Sequence, residues 1–338
     1  MSTQQFAYSA LPDRFEQGTQ ARTARLVAAG AIADSWPEVG AARPNTDGEP
    51  EELGSGVQVR HRFVEAPGDS ETVRWHLVES GEAHAPVVVF LHGLPDSWWQ
   101  WHYAIEALSD RFRCVAVDLK GYGQSDKRSG DYRQAGVATQ LEALLDVLDI
   151  GEFSLVTHDR GVPPADHLAA NVGERVRAYV RGQQHLWHLN PQLHPQETTF
   201  LSPEAPAMLT DARRFVVSAY DRLTVRPVAR SDLLRTVAEF SYPGIASAVP
   251  RYFHSSSFRQ EWVDRRVRLI GAWRSPVLVL QGADDPMQPR EYYLDPEVSR
   301  RLPTGSGVEL LDAGHFWPFE APAESVKVIE TFLQKTAR

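Results

Sequence analysis

Ser154-Leu155-Val156-Thr157-His158-Asp159-Arg160-Gly161 decides how the rest of this chain is read. The apolar run 153–156 has the unbroken hydrophobicity of a strand buried on both faces, and 162–171 has the small and apolar residues of a helix lying on a sheet. Asp159 then falls on the sharp turn between them. A strand-turn-helix elbow lifts the side chain at its tip above the carboxyl edge of a sheet, and it needs small neighbours so that strand and helix approach closely. Gly161 meets that need, whereas Thr157 is larger than the glycine usual at the matching position. Such an elbow normally presents a serine. A carboxylate there points to attack on carbon through an aspartate.

The partners of such a nucleophile lie downstream. A second apolar strand over 276–282 runs into Ala283-Asp284-Asp285-Pro286, and a third over 307–312 runs into Ala313-Gly314-His315. Nucleophile, acid and histidine therefore come in that order along the chain. Upstream, the strand 86–91 ends in His92-Gly93-Leu94-Pro95-Asp96-Ser97-Trp98-Trp99. The backbone turns there beside the elbow, so the N–H groups of Leu94 and Arg160 are the natural pair for an oxyanion hole. Donors fixed on backbone cost no reorganisation when charge develops, and one of them is typically worth ~2.7–4 kcal/mol in the transition state. Between these elements, 114–118 reads as a strand leading into a turn with Gly121, Gly123 and Ser125.

Together these motifs resemble the α/β-hydrolase superfamily, and within it the branch with an aspartate nucleophile, the epoxide hydrolases and the haloalkane and haloacid dehalogenases. The resemblance covers about 57–332. It implies an α/β fold, a mostly parallel central sheet flanked by helices, with a helical cap inserted between strands. The family's Gly-x-x-Asp-Pro pattern assigns the acid to Asp285 rather than Asp284, with Asp285 orienting His315 and His315 activating a water. A carboxylate displaces a leaving group from saturated carbon to give an ester, which the activated water hydrolyses.

The candidate reactions differ in how the leaving group is stabilised. An epoxide oxygen needs a proton donor, and the family's epoxide hydrolases carry two cap tyrosines. Phe215-Val-Val-Ser-Ala-Tyr220 and Ala248-Val-Pro-Arg-Tyr252 are similar to those segments, and Phe258-Arg-Gln-Glu-Trp262 resembles the residues that come after the second tyrosine. Arg160, however, stands where most of these enzymes have tryptophan. His158-Asp159-Arg160-Gly161 is similar to fluoroacetate dehalogenases, in which this arginine and another four residues after the nucleophile clamp a carboxylate; here the second place is Pro163. Epoxide hydrolysis ranks first and haloacid dehalogenation second. A ligand-binding or lyase member of the same fold is the reading of another class.

The chain divides into an arm and linker over 1–56, a first core part over 57–182, a helical and aromatic cap over 183–272, and a second core part over 273–338 that closes with an amphipathic helix over 321–333. Within the arm, 14–36 has apolar residues at helical spacing, and 38–56 is rich in Gly, Pro and Glu, as in a mobile linker. Trp98 and Trp99, with Arg160, His185 and Trp187, are candidate substrate contacts. The bland reading of each is packing. For Asp159 it is a helix N-cap, and for the Asp284-Asp285 pair a turn cap. His92 and His158 read as structural.

Histidines 185, 188 and 194 do not have the spacing of a helical metal pair, so neither metal nor cofactor is expected. A formal charge of −9 on 338 residues argues against a nucleic-acid partner, and 42% hydrophobic residues fill a sizeable core. No apolar run long enough for a membrane span and no signal-peptide pattern is present in the sequence, so a cytoplasmic monomer or homodimer acting on a small molecule is the expectation. Cys114, the single cysteine, lies in an apolar strand and reads as inert.

Overall fold

A computed structural model describes residues 32–68, 71–182, 199–255, 268–288 and 290–336. Nine strands form one sheet in the order β1-β2-β3-β5-β4-β6-β7-β8-β9. They are β1 (Pro50–Glu52), β2 (Gln58–Pro67), β3 (Thr72–Ser80), β4 (Val87–Leu91), β5 (Arg113–Val117), β6 (Phe153–His158), β7 (Val176–Gly182), β8 (Val277–Gly282) and β9 (Gly307–Leu311). Pairing is antiparallel from β1 to β3 and across to β5, and parallel from β5 through β4 to β9. The parallel strands β4, β6 and β8 are almost entirely buried, which explains their unbroken apolar sequences.

The helices of the first core part are α1 (His102–Leu108), α2 (Gln134–Val147) and α3 (Val162–Asn171). Between β7 and β8 the chain leaves the sheet for α4 (Ala205–Thr210), α5 (Ala212–Leu223), α6 (Arg230–Phe240) and α7 (Ile245–Ser255), with no strand among the described residues. In the second core part, α8 (Pro296–Arg301) precedes β9, and α9 (Trp317–Glu320) and α10 (Pro322–Thr336) come after it. Helices cover both faces of the sheet and make two cores. On one side α2 and α3 pack with Leu91, Val117 and Leu155. On the other, α1 and α10 pack with Phe90, Val156 and Leu280. Cys114 is fully buried in this second core, and burial pushes its thiol up.

The chain passes from β4 to β5 on one side and then crosses to β6 on the other, so strand order reverses at β4. The carboxyl ends of β4 and β6 flank the crevice where open α/β sheets bind ligands.

The N-terminal part departs from the sequence expectation. Residues 50–52 fall in the expected linker yet form β1, which pairs with β2 in the register Pro50↔Arg60. Their neighbours are tied down as well: Ala42 N–H donates to Ala238 O at 3.1 Å, and Asn45 and Gln124 exchange two hydrogen bonds of 2.7 and 2.8 Å. Composition reports the polarity of this stretch and not its backbone pairing. The strand β3 has no clear signature because Arg74, His76 and Glu79 interrupt its apolar residues. Of the expected helix over 14–36 only 32–36 fall within the described residues, and 32–34 are helical.

Candidate active site

Asp159 comes directly after β6 with φ = 43°, a left-handed conformation that a non-glycine residue adopts at a cost. Two glycines make room for it. A Cβ on Gly93 would lie 2.5 Å from Cβ of Asp159, and one on Gly161 would lie 2.5 Å from the carbonyl oxygen of Leu91. Thr157, the larger residue before the turn, is accommodated sideways, its hydroxyl donating to Val180 O on β7 at 3.2 Å. Leu94 N–H donates to Asp159 Oδ1 at 3.0 Å. The other carboxylate oxygen, Oδ2, lies 4.0 Å from His315 Nε2.

His315 completes the line through its other nitrogen. Nδ1 meets Asp285 Oδ2 at 3.2 Å, and Asp285 also accepts from Gln281 Nε2 at 2.8 Å and Met287 N–H at 2.7 Å. Burial works to raise the Asp285 carboxyl, but His315 and these donors outweigh it and hold it below the ordinary range. Burial likewise works against a charged His315, yet the carboxylates of Asp285 and Asp159 raise it above the ordinary imidazole value. Asp284 is exposed, so Asp285 is the residue brought to the histidine.

Asp96, Gln100 and Glu320 are site residues that sequence reasoning misses. Asp96 is buried in the loop after β4 and accepts from Tyr220 Oη at 2.7 Å and Gln100 Nε2 at 2.9 Å. Burial, with a smaller push from nearby Asp159, raises its pKa to about 7. Gln100 also accepts from Gly93 N–H at 3.0 Å and reaches His158 Nδ1 at 3.0 Å, and His158 Nε2–H donates to His315 O at 2.8 Å. His158 is pushed down to about 4 by burial and stays a neutral spacer. His92 is similarly structural, accepting Leu119 N–H at 3.0 Å. The Glu320 carboxylate gathers the N–H groups of Gly314, Phe316, Val225 and Arg226. The one sequence signal for Asp96 is an acid two residues after Leu94.

The tyrosines divide differently from the sequence expectation. Tyr252, the better sequence match, is 2% exposed and its hydroxyl donates to Lys120 O at 2.8 Å, so its proton is committed to a backbone carbonyl. Tyr220, the weaker match, stacks on Phe316 at 3.9 Å beside the histidine and donates to Asp96. Arg160 lies over the ring of Phe253 at 4.5 Å and that of Tyr252 at 5.6 Å. It is buried, and its Nε has no hydrogen-bond partner among the described residues.

Trp98, expected as a substrate contact, is fully buried edge-on to His61 and Trp99 and belongs to the core. Trp99 is half-buried and stacks on His102 at 4.0 Å. His185 and Trp187, with 258–262, lie outside the described residues. Among the described residues no group of three or more His, Cys, Asp and Glu could hold a metal, and no helix is long and apolar enough to cross a membrane.

Known proteins agree with this architecture. A stretch 46% identical over 99 residues is found in a haloalkane dehalogenase of Mesorhizobium japonicum, covering 29% of this chain and 32% of that protein. Epoxide hydrolase 3 of Xenopus tropicalis is 33% identical over 111 residues, covering 32% of this chain and 30% of its own. The chain thus spans about a third of the length of these curated relatives. The crystal structure of Cfl2 from Burkholderia cenocepacia superposes with a TM-score of 0.70 at 24% identity, covering 85% of this chain and 99% of Cfl2, a likeness of fold. The family model described as alpha/beta hydrolase fold matches residues 86–322, well over half of the sequence, and the chain belongs to that family.

Proposed function

We propose that the protein is a hydrolase in which Asp159 attacks saturated carbon, and that its reaction is the hydrolysis of an epoxide to a diol. The observation that carries this reading is the division of labour at Asp159. Oδ1 is held by Leu94 N–H and Oδ2 faces His315. Oδ2 is the attacking atom: it forms a C–O bond as the epoxide C–O bond breaks, and the ring oxygen takes a proton. Both tyrosine hydroxyls already donate, Tyr220 to Asp96 and Tyr252 to Lys120 O; Tyr220 is the donor we favour because its ring stacks on Phe316 next to His315.

The ester then lies with its carbonyl oxygen on Leu94 N–H. Alkylation removes the Asp159 charge, one of those that hold the His315 pKa up, and so favours the neutral imidazole that accepts a proton from water. Hydroxide adds to Cγ, Leu94 N–H stabilises the resulting oxyanion, the alkyl oxygen leaves as the second hydroxyl of the diol with the proton from His315, and the proton left on the Asp159 carboxyl returns to Tyr220. The inserted helices, four among the described residues, act as a cap in this reading, joined to the crevice through Tyr220 and Tyr252.

Arg160 supports a second reading. A buried guanidinium beside the nucleophile, with no partner for its Nε among the described residues, is suited to a carboxylate, and so to a 2-haloacid. The curated relatives include both an epoxide hydrolase and a haloalkane dehalogenase. Intact-mass measurement on His315→Gln after incubation with epoxides and 2-haloacids separates the two. A gain equal to the whole epoxide is the expected outcome. A gain equal to a haloacid less hydrogen halide assigns dehalogenation, and an unchanged mass with every compound contradicts covalent catalysis at Asp159.

A further inference from the structure

Away from the nucleophile, four titratable side chains form a line through the antiparallel part of the sheet. Glu51 Oε2 on β1 meets His61 Nε2 on β2 at 3.0 Å, His61 Nδ1 meets His76 Nε2 on β3 at 2.9 Å, and His76 Nδ1 meets Asp118 Oδ2 at 2.6 Å. The two imidazoles stack at 5.2 Å, and both, with Asp118, have no exposed surface. Each end is joined to the machinery around the crevice. Asp118 Oδ1 accepts the Trp98 N–H of the loop after β4 at 2.8 Å. Glu51 is gripped by both terminal nitrogens of Arg235 on α6, at 2.9 and 3.1 Å, and that guanidinium lies over Trp99 at 5.0 Å.

Counting hydrogens fixes the charge of this line. Each of its three contacts is a hydrogen bond and needs one proton. Both ends are carboxylates: Glu51 is held by Arg235, and Asp118 already accepts from Trp98 N–H and from Gln124 N–H at 2.8 Å. Burial works to raise each of them, but their imidazole and other partners bring both below the ordinary range. All three hydrogens therefore belong to the imidazoles. Two neutral imidazoles carry only two. Burial pushes the His76 imidazole down, and Nε2 of Gln124, whose Oε1 accepts from Asn45 N–H, faces His76 Nε2 at 3.5 Å, so that histidine nitrogen is the acceptor of the ring-to-ring contact.

We propose that His61 and His76 are positioning residues that share a single imidazolium charge, and that this proton ties the loop bearing Leu94 to the inserted helix α6. Other charged or titratable groups facing the line are Glu239, which takes Arg235 Nε at 2.7 Å, together with Lys127, His92 and Tyr242. As pH rises and the pair loses its proton, one of the three contacts becomes acceptor against acceptor. Glu51 is then held by Arg235 alone, and the seam between α6 and the loop loosens. The shared proton does not depend on the role of Asp159.

The test is NMR of the full chain with 15N-labelled histidine across pH 5.5 to 9, paired with amide exchange corrected for intrinsic rate. His61→Gln assigns the signals; should that variant not fold, ring-to-ring contacts in the wild-type protein assign them. At neutral pH one imidazole is expected with both nitrogens protonated and its neighbour with Nδ1 alone protonated. That signature is lost in one step as pH rises, and exchange over 230–240 accelerates about tenfold, the equivalent of one pKa unit. Glu239→Gln is expected to leave the step in place. Two neutral imidazoles throughout, a step without change in α6, or a step abolished by Glu239→Gln would each overturn the proposal.

Discussion

A single side chain, Asp96, gives the crevice a pH dependence of its own. Asp96 is held at a pKa of about 7 in the folded protein by burial, against ~3.9 in an unfolded chain. Between those values the folded state keeps a proton that the unfolded state has released. Its contribution is therefore fully present below pH ~4 and is lost as pH rises to about 7, by at most ~1.4 kcal/mol per pH unit. Asp96→Asn imitates the protonated form at every pH. Denaturant unfolding at pH 5 and pH 8 is expected to show the variant gaining stability relative to wild type at the higher pH, and an equal difference at both would refute the buried-carboxyl account. Asp96 is also the site residue least visible in the sequence. Its neighbours Leu94 and Pro95 belong to a backbone motif, and nothing local announces that Tyr220, 124 positions away, donates to it. Asp159 and Asp285 are legible because each stands just beyond the end of a buried strand, and His315 because it comes four residues after β9.

Elements explain how far sequence reading reaches and where it stops. The strands β4, β6 and β8 and the helix α3 have sequences that only a doubly covered sheet buries, so their ends locate the loops. The edge strand β1 is three residues long, and β3 buries His76 through hydrogen bonds rather than apolarity, so neither has a periodic signature. The elbow is the element with the tightest constraint. At Gly161 any side chain meets the Leu91 carbonyl at 2.5 Å, an atom of the backbone that cannot swing aside. Gly161→Val is expected to cost ~1–3 kcal/mol through overpacking and to displace Leu94 from Asp159. Thermal unfolding temperature and formation of the covalent adduct should fall together, whereas wild-type stability with full adduct formation would show that the elbow does not need this approach.

At the scale of the whole molecule, the sheet's reversal at β4 brings loops from four distant parts of the chain to one crevice: Leu94, Asp159, Asp285 and His315. Polar side chains join the inserted helices to the core around it. Tyr220 reaches Asp96, Tyr252 reaches Lys120 O, Tyr103 donates to Asp232 on α6, and Arg235 grips Glu51. These seams are beyond sequence reading because the side chains of the inserted helices lack the periodic backbone logic of strands. In the mechanism proposed above, the oxygen of water enters the Asp159 carboxylate before any of it reaches product. Single turnover of the wild-type protein in 18O water, using the compound that labels His315→Gln, tests this most directly. Covalent attack by Asp159 requires 18O in the peptide containing that residue and an unlabelled first-turnover product. Label in the product with none in that peptide would show direct attack by water and contradict the assignment of Asp159 as nucleophile.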